Sequence, residues 1–335
     1  MSETNVAPAD ASSQPMPPRE PARGEARGEA LIRARGLTKR FGEFTAVDGV
    51  DFDVQPGEAF GFLGPNGAGK TSTMRMIGCT SPISDGELTV LGMNPPRDGT
   101  RIRARLGVVP QEDSLDTELT VFDNLLVYGR YFDLPHAEIR RRADELLEFM
   151  QLTERRDDLV DPLSGGMKRR LTIGRALINE PAVVLLDEPT TGLDPQARHL
   201  VWERLFQLKQ RGVTLVLTTH YMEEAEQLCD RLVIMDDGRI IAQDSPRSLI
   251  DEHCTREVVE LRFATTDLES CATKLAGVGD HVEVLPDRLL LYADDGDATV
   301  PATYDRGLRP TGVLVRRSGL EDVFLHLTGR TLTEA

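Results

Sequence analysis

Apolar and polar positions alternate along residues 31–37 and 50–54, the period of half-exposed β-strands. Residues 57–63 replace that alternation with a short apolar run, which predicts a buried strand. The spacing turns helical over 71–77 and alternates again over 86–92. A second buried strand is predicted at 106–110, ending at Gln111. From Thr120 to about Thr153 the apolar residues fall at helical spacing. Val121, Leu125, Leu126 and Tyr128 share one face, and Ile139, Ala143, Leu146, Leu147 and Met150 another. Pro135 divides the two helices. A further helix is predicted over 168–179. Val183, Val184, Leu185 and Leu186 are apolar without a break, as in a parallel strand covered on both faces. Residues 213–220 repeat that pattern, and 232–235 with 239–242 form a hairpin turning at Asp236, Asp237 and Gly238.

Strands alternating with helices predict an α/β core over about residues 31–250, with a helical subdomain inserted at about 112–175. Beyond it the order changes. Strands at 257–263, 281–285, 288–292 and 312–316 surround helices at 267–276 and 298–306, and a last helix starts at Glu321. The order βαββαβ predicts a small ferredoxin-like α+β module over 255–330. It shows no catalytic constellation, so a regulatory or dimer-supporting cap is the expectation. Residues 1–30 are rich in Ala, Pro, Ser, Glu and Arg with little to bury, and read as a disordered tail.

The chain's 335 residues, 40% of them hydrophobic, suffice for a large domain and a small one. Fifty-five acidic residues against 39 basic ones give a net charge of −16, which argues against a nucleic-acid partner. Cys79, Cys229, Cys254 and Cys271 have no metal spacing and read as reduced thiols of a cytosolic protein. No apolar run reaches the length of a membrane span, and the N-terminus lacks a secretory pattern.

Chemistry enters between the predicted strand at 57–63 and the helix at 71–77. Gly64, Pro65, Asn66, Gly67, Ala68, Gly69, Lys70 and Thr71 match the phosphate-loop pattern G-x-x-x-x-G-K-[ST]. Glycines let the backbone approach a ligand closely, and the loop N–H groups and helix N-terminus favour an anion. Lys70 is placed to reach the β- and γ-phosphates, and the Thr71 hydroxyl to ligate Mg²⁺. The apolar run at 183–186 ends in Asp187 and Glu188, at the strand edge where open α/β sheets bind ligands. Asp187 is placed for the Mg²⁺ shell and Glu188 to polarise a water. Ser164, Gly165 and Gly166 precede a helix, a second anion-binding arrangement. His220 ends another sheet strand, where it could sense a γ-phosphate.

Taken in order, the phosphate loop, Gln111, Leu163 to Gly166, residues 183–188 and His220 resemble the ATP-binding subunit of ABC transporters. The resemblance covers about residues 31–250 and implies a P-loop NTPase fold binding ATP and Mg²⁺. Phe41 falls on the loop between the strands at 31–37 and 50–54, and the resemblance implies that it stacks on adenine and that Gln111 links Mg²⁺ and the attacking water to a membrane partner. Ser164, Gly165 and Gly166 would grip the γ-phosphate held by a second copy. Asp187 would be the Mg²⁺ aspartate, Glu188 the catalytic base, Asp194 a residue communicating across the dimer, and His220 the switch histidine. Met167 stands where the family commonly has Gln, and a thioether cannot donate that amide's hydrogen bond. Residues 163–171 resemble the exporter subgroup that includes nodulation-factor and daunorubicin-type drug export ATPases. Residues 189–199 and 250–253 resemble the nodulation-factor branch most; residues 320–324 resemble the tail of the drug-export ATPases. The implied protein is the ATPase of an ABC-2 type exporter, peripheral on the inner face of the cell membrane. Its partners would be a second copy (or a paired ATPase subunit) and a separate ABC-2 type permease passing a drug, lipid or (lipo)oligosaccharide. The rival is a soluble ABC ATPase of translation or DNA repair, a class that usually carries two ATPase units or a long coiled coil.

Overall fold

The computed structural model describes residues 29–264 and 267–329; the expected tail over residues 1–30 lies almost wholly outside them. Two long strands come first, β1 (Ile32–Phe41) and β2 (Phe44–Val54). Strand β3 (Ala59–Leu63) leads into α1 (Lys70–Ile77). Then follow β4 (Asp85–Val90), α2 (Pro95–Arg103) and β5 (Leu106–Val109). The helical insertion comprises α3 (Val121–Arg130), α4 (His136–Phe149) and α5 (Gly165–Ala176). The core resumes with β6 (Val183–Asp187), α6 (Pro195–Gln210), β7 (Thr214–Thr219) and α7 (Met222–Leu228). Strands β8 (Arg231–Asp236) and β9 (Arg239–Asp244) and helix α8 (Pro246–His253) complete it. The remainder is β10 (Glu257–Arg262), α9 (Leu268–Leu275), β11 (His281–Val284), β12 (Leu289–Ala293), α10 (Gly296–Asp305), β13 (Gly312–Arg317) and α11 (Leu320–Thr328).

The central sheet has the order β5-β6-β7-β3-β8-β9, parallel except for β9. Its neighbours bring together chain segments far apart in sequence. Leu63 pairs with Thr219, and Asp187 with Thr218, so β3, β6 and β7 end side by side. Apolar layers cover both faces. One joins Leu186, Leu217 and Ile234 to the helices around Leu171, Trp202 and Leu205. The other packs Phe60, Phe62 and Leu185 against α1 and the antiparallel sheet β2-β1-β4. Phe52, Phe60 and Phe62 meet there, two of their three contacts edge-to-face.

Two differences from the sequence reading have physical causes. β1 and β2 extend well past the alternating segments, because register shifts near Leu37 and Lys39 break the two-residue period. Phe41 consequently ends β1, paired with Phe44, and does not sit on a loop between short strands. Helix α6 is absent from the sequence reading although its buried Val201, Trp202, Leu205 and Leu208 fall at helical spacing, because Arg204 on the buried face and the charged and polar residues between them dilute the apolar stripe.

The small α+β module forms an antiparallel sheet of order β11-β12-β10-β13. One face, with Val259, Leu261, Leu289 and Leu291, is covered by Leu268, Cys271 and Leu275 of α9 together with Leu308. The other face, with Val258, Leu290 and Tyr292, takes Leu325 of α11. Leu320, Val323 and Phe324 of that same helix belong to the large core cluster with Trp202, Leu228 and Leu249. Helix α11 is thus a wedge shared between the module and the core. Phe324 is fully buried, and removing its ring would cost about 3–5 kcal/mol.

Candidate functional site

The loop from Gly64 to Gly69 closes against the neighbouring backbone. A Cβ at Gly64 would sit 2.2 Å from the Met235 carbonyl oxygen, and one at Gly69 2.4 Å from that of Ala46. No other residue fits either position. Lys70, 4% exposed, begins α1 and donates to the carbonyls of Gly64 (2.6 Å) and Pro65 (2.8 Å). Burial lowers its pKa, and the carboxylates of Glu188 and Asp187 offset part of that. An ammonium held in a glycine-rich loop at the start of a helix suits a polyphosphate.

Asp187 and Glu188 stand where β6 ends, beside this loop. Asp187 Oδ1 accepts from the Thr71 hydroxyl at 3.2 Å and the Thr218 hydroxyl at 2.5 Å. Glu188 has φ 45°, a left-handed conformation unusual for a non-glycine residue. Its N–H bonds the Thr218 carbonyl and hydroxyl, which hold the turn. The carboxylate is reached from three sides. Gln111, just past β5, donates Nε2–H to Oε2 at 3.2 Å. Thr191 donates its hydroxyl to the same oxygen at 3.1 Å. His220 Nδ1 lies 3.2 Å from Oε1, a close polar contact without the alignment of a hydrogen bond. The His220 contact does most to hold the Glu188 carboxyl below the usual carboxylate range; burial opposes it, and Thr191 and Lys70 assist. A carboxylate kept ionised, buried and flanked by a histidine and an amide can accept a proton from water.

The sequence does not single out Arg169. It sits on α5, 4% exposed, and its guanidinium binds five carbonyl oxygens. Nε donates to Pro189 (2.6 Å), Nη2 to Asp187 (3.0 Å) and Glu188 (3.1 Å), and Nη1 to Pro110 (2.6 Å) and Gln111 (3.3 Å). Asp113 supplies a carboxylate at 3.4 Å. One side chain therefore splints the segments that carry Gln111 and Glu188. Lys168-Arg169-Arg170 reads as an ordinary basic run, so only the fold distinguishes the middle residue.

The remaining expected residues lie apart from this cluster. Ser164 caps α5 and accepts the Met167 N–H at 3.3 Å; the helix begins at Gly165, three residues before its expected start. Ser164 and Gly165 are exposed, and among the described residues no hydrogen bond joins 164–166 to 64–71. Asp194 caps α6, accepting the Ala197 N–H at 2.9 Å. Phe41 is half exposed at the tip of the β1–β2 hairpin, with the Lys39 ammonium 4.7 Å from its ring centre. All four cysteines are free thiols, and among the described residues no helix is long and apolar enough to cross a membrane.

An anion cradle on a parallel sheet, with an aspartate and a glutamate at the adjoining strand end, defines a P-loop NTPase. The family profile "ABC transporter" matches residues 47–191, and "Nodulation factor export protein NodI, C-terminal domain" matches residues 268–329. "Nod factor export ATP-binding protein I" of Ralstonia nicotianae is 49% identical over 309 residues, 91% of this chain and 95% of that one. The protein of the same name in Rhizobium meliloti is 48% identical over 311 residues, 92% and 91% of the two chains. Among solved structures, the dimeric ATP-binding cassette MJ0796 bound to ADP and Pi is 28% identical with a TM-score of 0.59. It covers 64% of this chain and 98% of its own. The cbiO1 subunit of Clostridium perfringens gives 27% and 0.62, covering 67% and 91%. The chain belongs to the ABC transporter ATP-binding subunits, in the family of the Nod factor export ATP-binding proteins, and is an ATPase. It powers transport through a separate membrane permease.

Proposed function

We propose that the chain is one half of an ATP sandwich, on the cytoplasmic face of the membrane, driving an ABC-2 type permease that exports a lipo-oligosaccharide of the Nod-factor kind. The lack of any hydrogen bond between residues 164–166 and 64–71 among the described residues, with Ser164 and Gly165 exposed, carries the dimer: the start of α5 is an anion site left over within one chain. A second copy would bring it over the γ-phosphate. Two relatives named for Nod factor export and the match at residues 268–329 support the cargo class. They disfavour an ATPase of translation or DNA repair.

In this reading the loop N–H groups and Lys70 hold the β- and γ-phosphates, and Phe41 stacks on the base. The oxygens of Thr71, Asp187 and Gln111 are hard donors that fit Mg²⁺, which prefers few protein ligands alongside phosphates and water. Bound there, the ion would neutralise charge on the phosphates. Glu188 orients a water and takes its proton as the water oxygen bonds to the γ-phosphorus and the bond to the bridging oxygen breaks. His220 and Gln111 keep that carboxylate aimed. Asp194, whose carboxylate already holds α6, would place that helix against the partner.

Beside Gln111 lies a cleft of about 420 Å³ lined by Val108, Pro110, Leu119, Val127 and Tyr131. Its mixed lining, with exposed Val108, Val127 and Tyr131 beside Asp116 and Arg175, fits a cytoplasmic segment of the permease. The core would end near residue 250, and the module at 255–330 would regulate or support the dimer.

The test is the mass in solution of E188Q, which binds ATP without consuming it. Sedimentation with ATP and Mg²⁺ is expected to show a dimer that reverts to monomer without nucleotide. A saturated, monomeric E188Q would overturn the sandwich.

A further inference from the structure

Glu224 lies outside every motif discussed above, yet it is completely buried at the junction of three site segments. It sits on α7, four residues after His220. Its Oε1 accepts from the Thr190 hydroxyl at 2.7 Å and from Trp202 Nε1–H at 3.1 Å. The Thr219 hydroxyl also lies against the carboxyl and favours its ionised form. Its Oε2 is buried and has no hydrogen-bond partner among the described residues. Each donor belongs to a segment with a place in the site. Thr190 is two residues past Glu188, Thr219 immediately precedes His220, and Trp202 is on α6, the helix capped by Asp194. The carboxyl is costly to bury. An apolar side chain would fill the same volume, but it would leave the Thr190 hydroxyl and the Trp202 N–H without an acceptor.

We propose that Glu224 is a positioning residue for hydrolysis, fixing the spacing between the segment after Glu188, the His220 strand end and α6. It touches no phosphate. It sets where His220 and Glu188 stand relative to each other, and it links both to α6. On closure of the dimer these segments then move as one body. The inference rests on the assignment of Glu188 and His220 to hydrolysis.

The test separates kcat from nucleotide affinity in the full chain with its permease. E224A is expected to lower kcat about tenfold or more while the Kd for ATP stays within about twofold. T190V, which keeps side-chain shape, is expected to lower kcat several-fold with the same unchanged Kd, and it carries the test if E224A does not fold. E224Q keeps an acceptor for Thr190 and Trp202 and is expected to recover most of the rate lost in E224A. Wild-type kcat in both E224A and T190V overturns the proposal. So does a parallel fall of kcat, ATP affinity and Tm, which marks a plain packing role, or an E224Q as slow as E224A. H220A serves as the control. If it hydrolyses ATP at the wild-type rate, the assignment of the site itself is wrong, whatever Glu224 does.

Discussion

The Arg169 guanidinium donates to the Glu188 carbonyl at 3.1 Å, so the helix that carries the serine-glycine pair also grips the end of the strand that carries the carboxylates. Removing that side chain leaves several buried carbonyl oxygens without a donor. R169A is expected to lose about 3 kcal/mol or more of unfolding free energy, measured by urea denaturation. R169K keeps the charge but not the planar fork, and is expected to fall between the two. A fully stable R169A would mean that water satisfies those carbonyls.

Lys70 and Glu188 are expected to fail in different ways. K70A removes the cation from the cradle and should weaken ATP binding by about 10–100-fold, the worth of a charge-assisted hydrogen bond or two. E188Q should bind ATP normally and turn over at least ~10²-fold more slowly. Equilibrium binding and phosphate release distinguish the two, and wild-type turnover in E188Q would remove Glu188 from the chemistry.

Ser164 provides the cleanest separation of binding from catalysis. It is exposed and distant in the hydrogen-bond network from the loop of the same chain. S164R is expected to abolish steady-state hydrolysis while the monomer's ATP affinity stays unchanged. Normal turnover in S164R would mean that one chain suffices.

Stability should depend on pH through two carboxyls with opposite signs. Burial raises the pKa of Glu224 in the folded chain, so its contribution is full below the ordinary Glu range and is lost as pH rises through the folded value. E224Q has no proton to lose. Its Tm relative to wild type should therefore climb as pH rises above the ordinary Glu range. The Glu188 carboxyl is held below its ordinary value, so its contribution is present at neutral pH and is lost as pH falls through the folded value. E188Q should thus compare best with wild type at low pH. Differences that stay flat with pH would contradict both shifts.

Much of the fold is visible in local patterning. The phosphate loop is legible because its residues are contiguous and the geometry is built by the backbone alone. Strands β6 and β7 are legible because burial on both faces leaves uninterrupted apolar runs, and the module because each short element keeps its own period. Arg169 and Glu224 are not legible. Their partners are groups at the ends of β5, β6 and β7 and on α6, segments far apart in sequence that become neighbours only through the β5-β6-β7 order of the sheet. Asp194 is half legible: an aspartate before a proline and a helix is a cap by local rules, and the structure shows that bond. Phe41 reads as a loop residue in the sequence because the register shifts in β1 hide the strand that reaches it.

The wedge made by α11 has a consequence for how the chain is made. Leu228 and Leu249 belong to the ATPase core, yet the apolar cluster that contains them is completed by Leu320, Val323 and Phe324. During synthesis that interior stays open to water until the segment after β13 has left the ribosome. Closing that part of the core therefore depends on long-range contacts, which are slow to form and leave apolar surface exposed meanwhile. A product cut short before Leu320 keeps every residue of the site and lacks the lid of its own core, which marks it for proteolysis before it can sequester a permease.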